Sequence, residues 1–127
     1  LAMEKRRILI VDDEAGVTRM LKLYLEATQA YEVRTENHGS RAVAAAREFR
    51  PHLVLLDVVM PDMDGATVAA EIGADASLKH TPVVFLTALV TGKEVGSAGR
   101  NIGGRPFIAK PVDPDRIIEL IEKHVKN

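Results

Sequence analysis

Short aliphatic runs recur along this chain, and each is followed by a stretch whose apolar residues fall at helical spacing. That alternation leaves few folds open. Ile8–Val11 reads ILIV, and His52–Val59 reads HLVLLDVV. A strand with one wet face alternates apolar and polar residues, whereas one covered on both faces is apolar throughout. Between these runs, Val17, Met20, Leu21, Tyr24 and Leu25 follow the i, i+3, i+4, i+7, i+8 pattern of an amphipathic helix over 15–28. Tyr31–Thr35 is a short strand and Ser40–Phe49 an Ala-rich helix with Pro51 beyond its end. Ala66–Ala74 is a third helix and Pro82–Thr87 (PVVFLT) a fourth strand. Pro106–Ala109 is a fifth strand. Pro114–Lys126 is a closing helix with proline in its first turn. Strands alternating with helices imply a parallel sheet with helices on both faces.

The bulk numbers agree with one globular domain. The chain has 127 residues, 46% of them hydrophobic, enough for a sizeable core. Seventeen basic residues against 18 acidic ones leave a net charge of −1, which points to neither nucleic acid nor an anionic membrane as a direct partner. The absence of cysteine excludes disulfides, thiol catalysis and cysteine-bound zinc. The apolar runs are too short to span a bilayer, and the charged stretch Glu4–Arg7 leads into only four apolar residues, unlike a signal peptide. A cytoplasmic location is the expectation. Leu1 and Ala2 precede Met3 and are expected to be foreign to the natural chain, which places the domain at 4–127.

Segment 92–105 resists assignment. It holds Gly92, Gly96, Gly99, Gly103 and Gly104, five of the nine glycines. Each costs a helix interior about 1 kcal/mol relative to alanine, so a helix here is expected to be short or irregular.

Ligands of open α/β sheets sit outside the carboxyl ends of the strands, near a reversal of strand order. Those ends carry Asp12 and Asp13, then Asp57, then Thr87 and Ala88, then Lys110 and Pro111. Carboxylates crowded together stay ionised only if a cation joins them. An all-oxygen donor set suits Mg²⁺, or Mn²⁺, better than zinc. Asp57 stands apart from the acidic pair on another strand, and its carboxylate is a candidate nucleophile toward phosphorus. The Mg²⁺, Lys110 and the Thr87 hydroxyl would neutralise and orient the phosphoryl oxygens.

The motifs VDDE at 11–14, LLDVVMPDMDG at 55–65, FLTA at 85–88 and FIAKP at 107–111 resemble, in that order, those of the receiver domains of bacterial two-component response regulators, including the chemotaxis regulators. The resemblance implies a flavodoxin-like five-stranded sheet of order 2-1-3-4-5. It implies that Asp57 accepts a phosphoryl group from a phosphohistidine on a sensor histidine kinase or phosphotransfer protein. Asp12, Asp13, Asp57 and the Val59 carbonyl would hold Mg²⁺. Lys110, Thr87 and Ala88 would contact the phosphoryl group, and Thr87 with Phe107 would form the conformational switch. The family often has a cis bond at the step matched by Lys110-Pro111. The face built by the family's fourth helix, fifth strand and fifth helix would meet a downstream output protein or domain, or a second copy in a homodimer.

Plainer roles compete at single residues. Asp12 and Asp13 can cap the first helix, where acids favour the positive dipole end, but that leaves Asp57 and Lys110 without a role. For Glu14 the capping or solvated-face role is the expectation. Asp62, Asp64 and Gly65 read as turn formers. At the level of function, the alternative is a Mg²⁺-dependent aspartyl-phosphate hydrolase resembling the haloacid dehalogenases. That class carries its nucleophile in an early DxD motif, whereas here the acidic pair comes first and Asp57 is followed by Val58-Val59. The primary reading is a signalling phosphoacceptor acting on itself, not an enzyme with a turnover substrate.

Overall fold

The computed structural model describes residues 4–88, 101–102 and 104–125. Its elements run β1 (Arg6–Val11), α1 (Ala15–Ala27), β2 (Tyr31–Glu36), a 3-10 turn (Gly39–Arg41), α2 (Ala42–Phe49), β3 (Leu53–Asp57), α3 (Gly65–Ala74), β4 (Val83–Thr87), β5 (Asn101–Ile102), β6 (Arg105–Ala109) and α4 (Pro114–His124). The sheet order is β2-β1-β3-β4-β6-β5. The first five of these are parallel and reproduce the expected 2-1-3-4-5 order, with β6 as the fifth parallel strand. Strand β5 was not foreseen: two residues pair antiparallel with β6 at the sheet edge. The weak helix expected in 92–105 lies largely outside the described residues. Residues 101–102 and 105, which are described, belong to this edge hairpin.

The continuous aliphatic runs have the predicted cause. Along β1, Ile8 and Ile10 face α1 and α4, packing with Leu21, Leu25, Ile117 and Ile121. Leu9 and Val11 face α2 and α3, packing with Ala45, Ala46, Val68 and Ile72. Leu53 and Leu55 of β3 join the first layer, and Val54 and Leu56 the second. Burying one such leucine or isoleucine is worth about 1.5–3 kcal/mol. The alanines of α2 let that helix sit close to the sheet.

Caps set the helix ends. Asp64 accepts from the Thr67 N–H at 2.8 Å, and Asp113 from the Asp115 N–H at 3.0 Å with Pro114 behind it. Two tyrosines tie α4 down: the Tyr24 hydroxyl donates to Asp115 and the Tyr31 hydroxyl to Glu122. Strand β3 is shorter than the 52–59 run predicts. It stops at Asp57, because the Val58 carbonyl accepts from the Gly65 N–H at 2.7 Å and folds the chain into a loop. No described helix is long and apolar enough to cross a membrane.

Candidate functional site

The register of the parallel strands brings the site together. Val11 is level with Leu56, so Asp12, one residue past β1, stands beside Asp57 at the end of β3. Thr87 ends β4 level with Ala109, and Lys110 follows at the end of β6. After β1 the chain turns to one side for β2 and then crosses to the other for β3, so the cluster sits where the strand order reverses.

Asp12, Asp13 and Asp57 each direct a carboxylate oxygen into one space, all three within 4.8 Å of one another. Asp12 is fully buried, Asp57 nearly so, and Asp13 is exposed. Asp12 Oδ1 accepts from the Glu14 N–H at 2.9 Å. Its Oδ2 has no partner among the described residues other than the Lys110 ammonium. The Lys110 ammonium lies 2.8 Å from that oxygen, a charge-assisted contact. Lys110 Nζ is also 2.8 Å from Glu14 Oε1 and 3.7 Å from Asp57 Oδ2.

These charges perturb one another. Burial and the neighbouring Asp12 push the Asp57 carboxyl up to about 6, although Lys110 and the Val59 N–H pull the other way. Burial opposes the Lys110 charge, but the carboxylates of Asp12, Glu14 and Asp57 outweigh it and raise the ammonium above the usual lysine range. The hydrogen bond and charge of Lys110 hold Glu14 below the usual carboxylate range. One lysine therefore shares three acids, and the acidic pocket has excess negative charge.

The other predicted residues fall around this cluster. Thr87 is buried, and Ala88 is exposed at the rim. Val59 is 54% exposed, and its N–H points at Asp57 Oδ1 from 3.4 Å. Phe107 is buried on β6 opposite Phe85 of β4. The Lys110-Pro111 bond is cis.

Several contributors were not legible as such. Gly65, read as a turn former, has a stronger reason to be glycine: a Cβ there would lie 2.2 Å from the Asp57 carbonyl oxygen. Asp62 also does more than turn the chain. Its two carboxylate oxygens accept from the Gly39 and Ser40 N–H groups at 3.1 and 3.0 Å, binding the loop after β3 to the start of α2. Those bonds hold its carboxyl down at about 2. Asn37 donates to the Asp12 carbonyl at 2.7 Å and to the Thr18 hydroxyl at 3.1 Å, bracing the end of β1. Glu14 is exposed at the N-cap of α1, in keeping with a solvated face, but makes no side-chain cap bond and turns to Lys110 instead.

Residues 8–122 match the model of the response regulator receiver domain. The chain belongs to that family. Over 107 residues it is 42% identical to the response regulator PleD of Caulobacter vibrioides, covering 84% of this chain and 23% of that protein. It is 33% identical over 122 residues to MtrA of Mycobacterium tuberculosis, named a DNA-binding response regulator, covering 96% of this chain and 51% of the relative. It thus spans about a quarter to a half of these curated relatives. Among solved structures, the chemotaxis protein CheY4 of Vibrio cholerae superimposes with a TM-score of 0.81 at 26% identity, over 95% of this chain and 99% of that one. The chain is a receiver domain of two-component signalling with the chemotaxis-regulator fold. The alternative hydrolase reading gains no support from these relatives.

Proposed function

We propose that this receiver works as a phosphoacceptor switch with Asp57 as the acceptor. The observation that carries the reading is the convergence of three carboxylate oxygens within 4.8 Å, with the Lys110 ammonium at their edge. All donors are hard oxygens, and the buried Asp12 Oδ2 has only the Lys110 ammonium, at 2.8 Å, as a partner among the described residues. Both features fit Mg²⁺ or Mn²⁺. Asp12, Asp13, Asp57 and the Val59 carbonyl would hold the ion, which would neutralise charge on the transferring group. An Asp57 carboxylate oxygen forms the new bond to phosphorus. The bond from phosphorus to the donor's imidazole nitrogen breaks, and that nitrogen keeps the electron pair and later takes a proton. Lys110 offsets charge on the phosphoryl oxygens through short, charge-assisted bonds. Ala88, exposed beside Thr87, leaves room for the group at the rim.

The switch reading rests on two buried side chains on adjacent strands. Thr87 is the last residue of β4, and Phe107 lies on β6. A phosphoryl group on Asp57 would draw the Thr87 hydroxyl toward it and free space for Phe107 to follow, changing the β4–β6 side of the domain. That side would be read by a downstream output domain or by a second receiver. The phosphoryl donor would be a sensor histidine kinase or phosphotransfer protein.

Incubation with Mg²⁺ and acetyl phosphate should add one phosphoryl group, detected by intact-mass spectrometry. Asp57→Asn should abolish the addition, because an amide is a poor nucleophile, and chelation of the metal should abolish it in the wild type. Stoichiometric modification of the Asp57→Asn protein would refute the assignment.

A further inference from the structure

Glu14 is the one charged member of the cluster to which the proposed function gives no task. It stands at the N-cap of α1 with φ −85° and ψ 102°, yet leaves its own helix uncapped. Its carboxylate instead reaches a residue 96 positions away, with Oε1 2.8 Å from Lys110 Nζ. The same ammonium lies 2.8 Å from Asp12 Oδ2 and 3.7 Å from Asp57 Oδ2. The lysine is thus shared between inner and outer partners. The inner side chains, Asp12 and Asp57, are 0% and 6% exposed, and the outer one, Glu14, is 60% exposed.

The inner partners are two of the three acids placed to hold a divalent cation. An ammonium at 2.8 Å from Asp12 Oδ2 competes for that oxygen. A cation taking that oxygen would displace the lysine from Asp12. The lysine side chain is only 12% exposed, and a charge so enclosed is costly to leave without a counter-charge. Glu14 Oε1, already 2.8 Å from Nζ, offers one on the solvent side.

We infer that Glu14 is a positioning residue, the outer anchor that holds the Lys110 ammonium at the rim when a cation occupies Asp12 and Asp57. This inference rests on the cation-dependent reading of the site. Without the anchor, Lys110 has only the inner acids as partners, competes harder for them, and weakens cation binding. The effect must run through the lysine. A plain loss of negative charge would weaken cation binding too, but would do so whether or not Lys110 is present.

A double-mutant cycle separates the two. Mg²⁺ affinity is measured by isothermal titration on the full chain as wild type, Glu14→Gln, Lys110→Met and the double variant, with thermal melts as the folding check. Glu14→Gln should weaken Mg²⁺ binding about three- to fivefold, the range of a single partly exposed ion pair. In the Lys110→Met background the same change should alter affinity by less than about twofold. Lys110→Gln replaces Lys110→Met if the latter does not melt cooperatively. Equal weakening in both backgrounds would overturn the inference, as would unchanged or tighter binding by Glu14→Gln in the wild-type background. A wild type that binds no Mg²⁺ would instead overturn the cation reading of the whole site.

Discussion

Two glycines of α3 should respond in opposite ways to the same substitution. At Gly65 an added Cβ would lie 2.2 Å from the Asp57 carbonyl oxygen, 2.9 Å from Val58 Cα and 3.0 Å from the Asp57 carbonyl carbon. A relaxed carbon–oxygen contact is about 3.3 Å or more, so one backbone must move by about 1 Å. Asp57 is held in register with Leu86, and the Val58 N–H donates to the Leu86 carbonyl at 3.1 Å. The start of α3 and the loop 58–64 must therefore yield, straining the Gly65-to-Val58 hydrogen bond of 2.7 Å. Overpacking of this kind costs about 1–3 kcal/mol, and alanine's better helix propensity returns at most about 1 kcal/mol. A net loss of about 1–2 kcal/mol lowers the melting midpoint by about 4–8 °C for a domain of this size. The loop also carries the Val59 carbonyl, and a misplacement of about 1 Å at such a site can cost tenfold or more in phosphorylation rate. At Gly73 the added Cβ would meet only the tip of the Arg105 side chain, at 3.3 Å. Gly73→Ala should therefore be neutral or raise the midpoint by a few degrees, about 0.5–1 kcal/mol. Circular-dichroism melts and the acetyl phosphate assay check both. If Gly65→Ala melts with the wild type and is phosphorylated at the wild-type rate, the close packing of α3 on the end of β3 does not position the site.

His52 should make the domain acid-sensitive: its Nδ1 accepts from the Arg7 N–H at 2.9 Å, a bond that the protonated ring cannot accept. Burial, then the charges of Arg7 and Arg6, lower its folded pKa, so its stabilisation is complete above the unfolded value of about 6.5 and is lost as pH falls through the folded value. Asp57, raised to about 6, works in the opposite sense over an overlapping range, so the measurement is the difference between wild type and His52→Gln in melts from pH 8 to pH 5; no pH-dependent difference would refute the role. Asp62→Ala should release the Gly39 and Ser40 amides, seen as faster hydrogen exchange by NMR; because the Asp62 carboxyl is held down at about 2, its contribution is present above the ordinary aspartate range and is lost only as pH falls through about 2. Unchanged exchange at both amides would show that the loop after β3 is held by other contacts.

Much of the fold was legible because burial leaves a period in the sequence. Continuous aliphatic runs at 8–11 and 53–56 marked strands covered on both faces, and those faces are divided between two helix layers as expected. Element ends were less legible. The run through Val58-Val59 continued the strand pattern, but the Gly65 N–H claims the Val58 carbonyl and stops β3 at Asp57. Asp62 looked like any turn aspartate, because the N–H groups that donate to it lie across space on the turn before α2 and not in its own loop.

The sequence by itself determined which chemical groups stand near the carboxyl ends of the strands: Asp12, Asp13, Thr87 and Lys110 stand where an apolar run stops, and Asp57 is the one acid inside the run 52–59. Only the tertiary structure decided how those groups are paired. Lys110 has three acids in reach, one of them 96 residues away, and Glu14 turns from its own helix to become one of them. Gly65 must be glycine because a backbone oxygen lies where its Cβ would be. Periodicity reports which face of an element is buried, and that is a local property of the chain. The partner of a charge, and the space left for a single carbon, depend on distances between elements that exist only once the sheet has assembled.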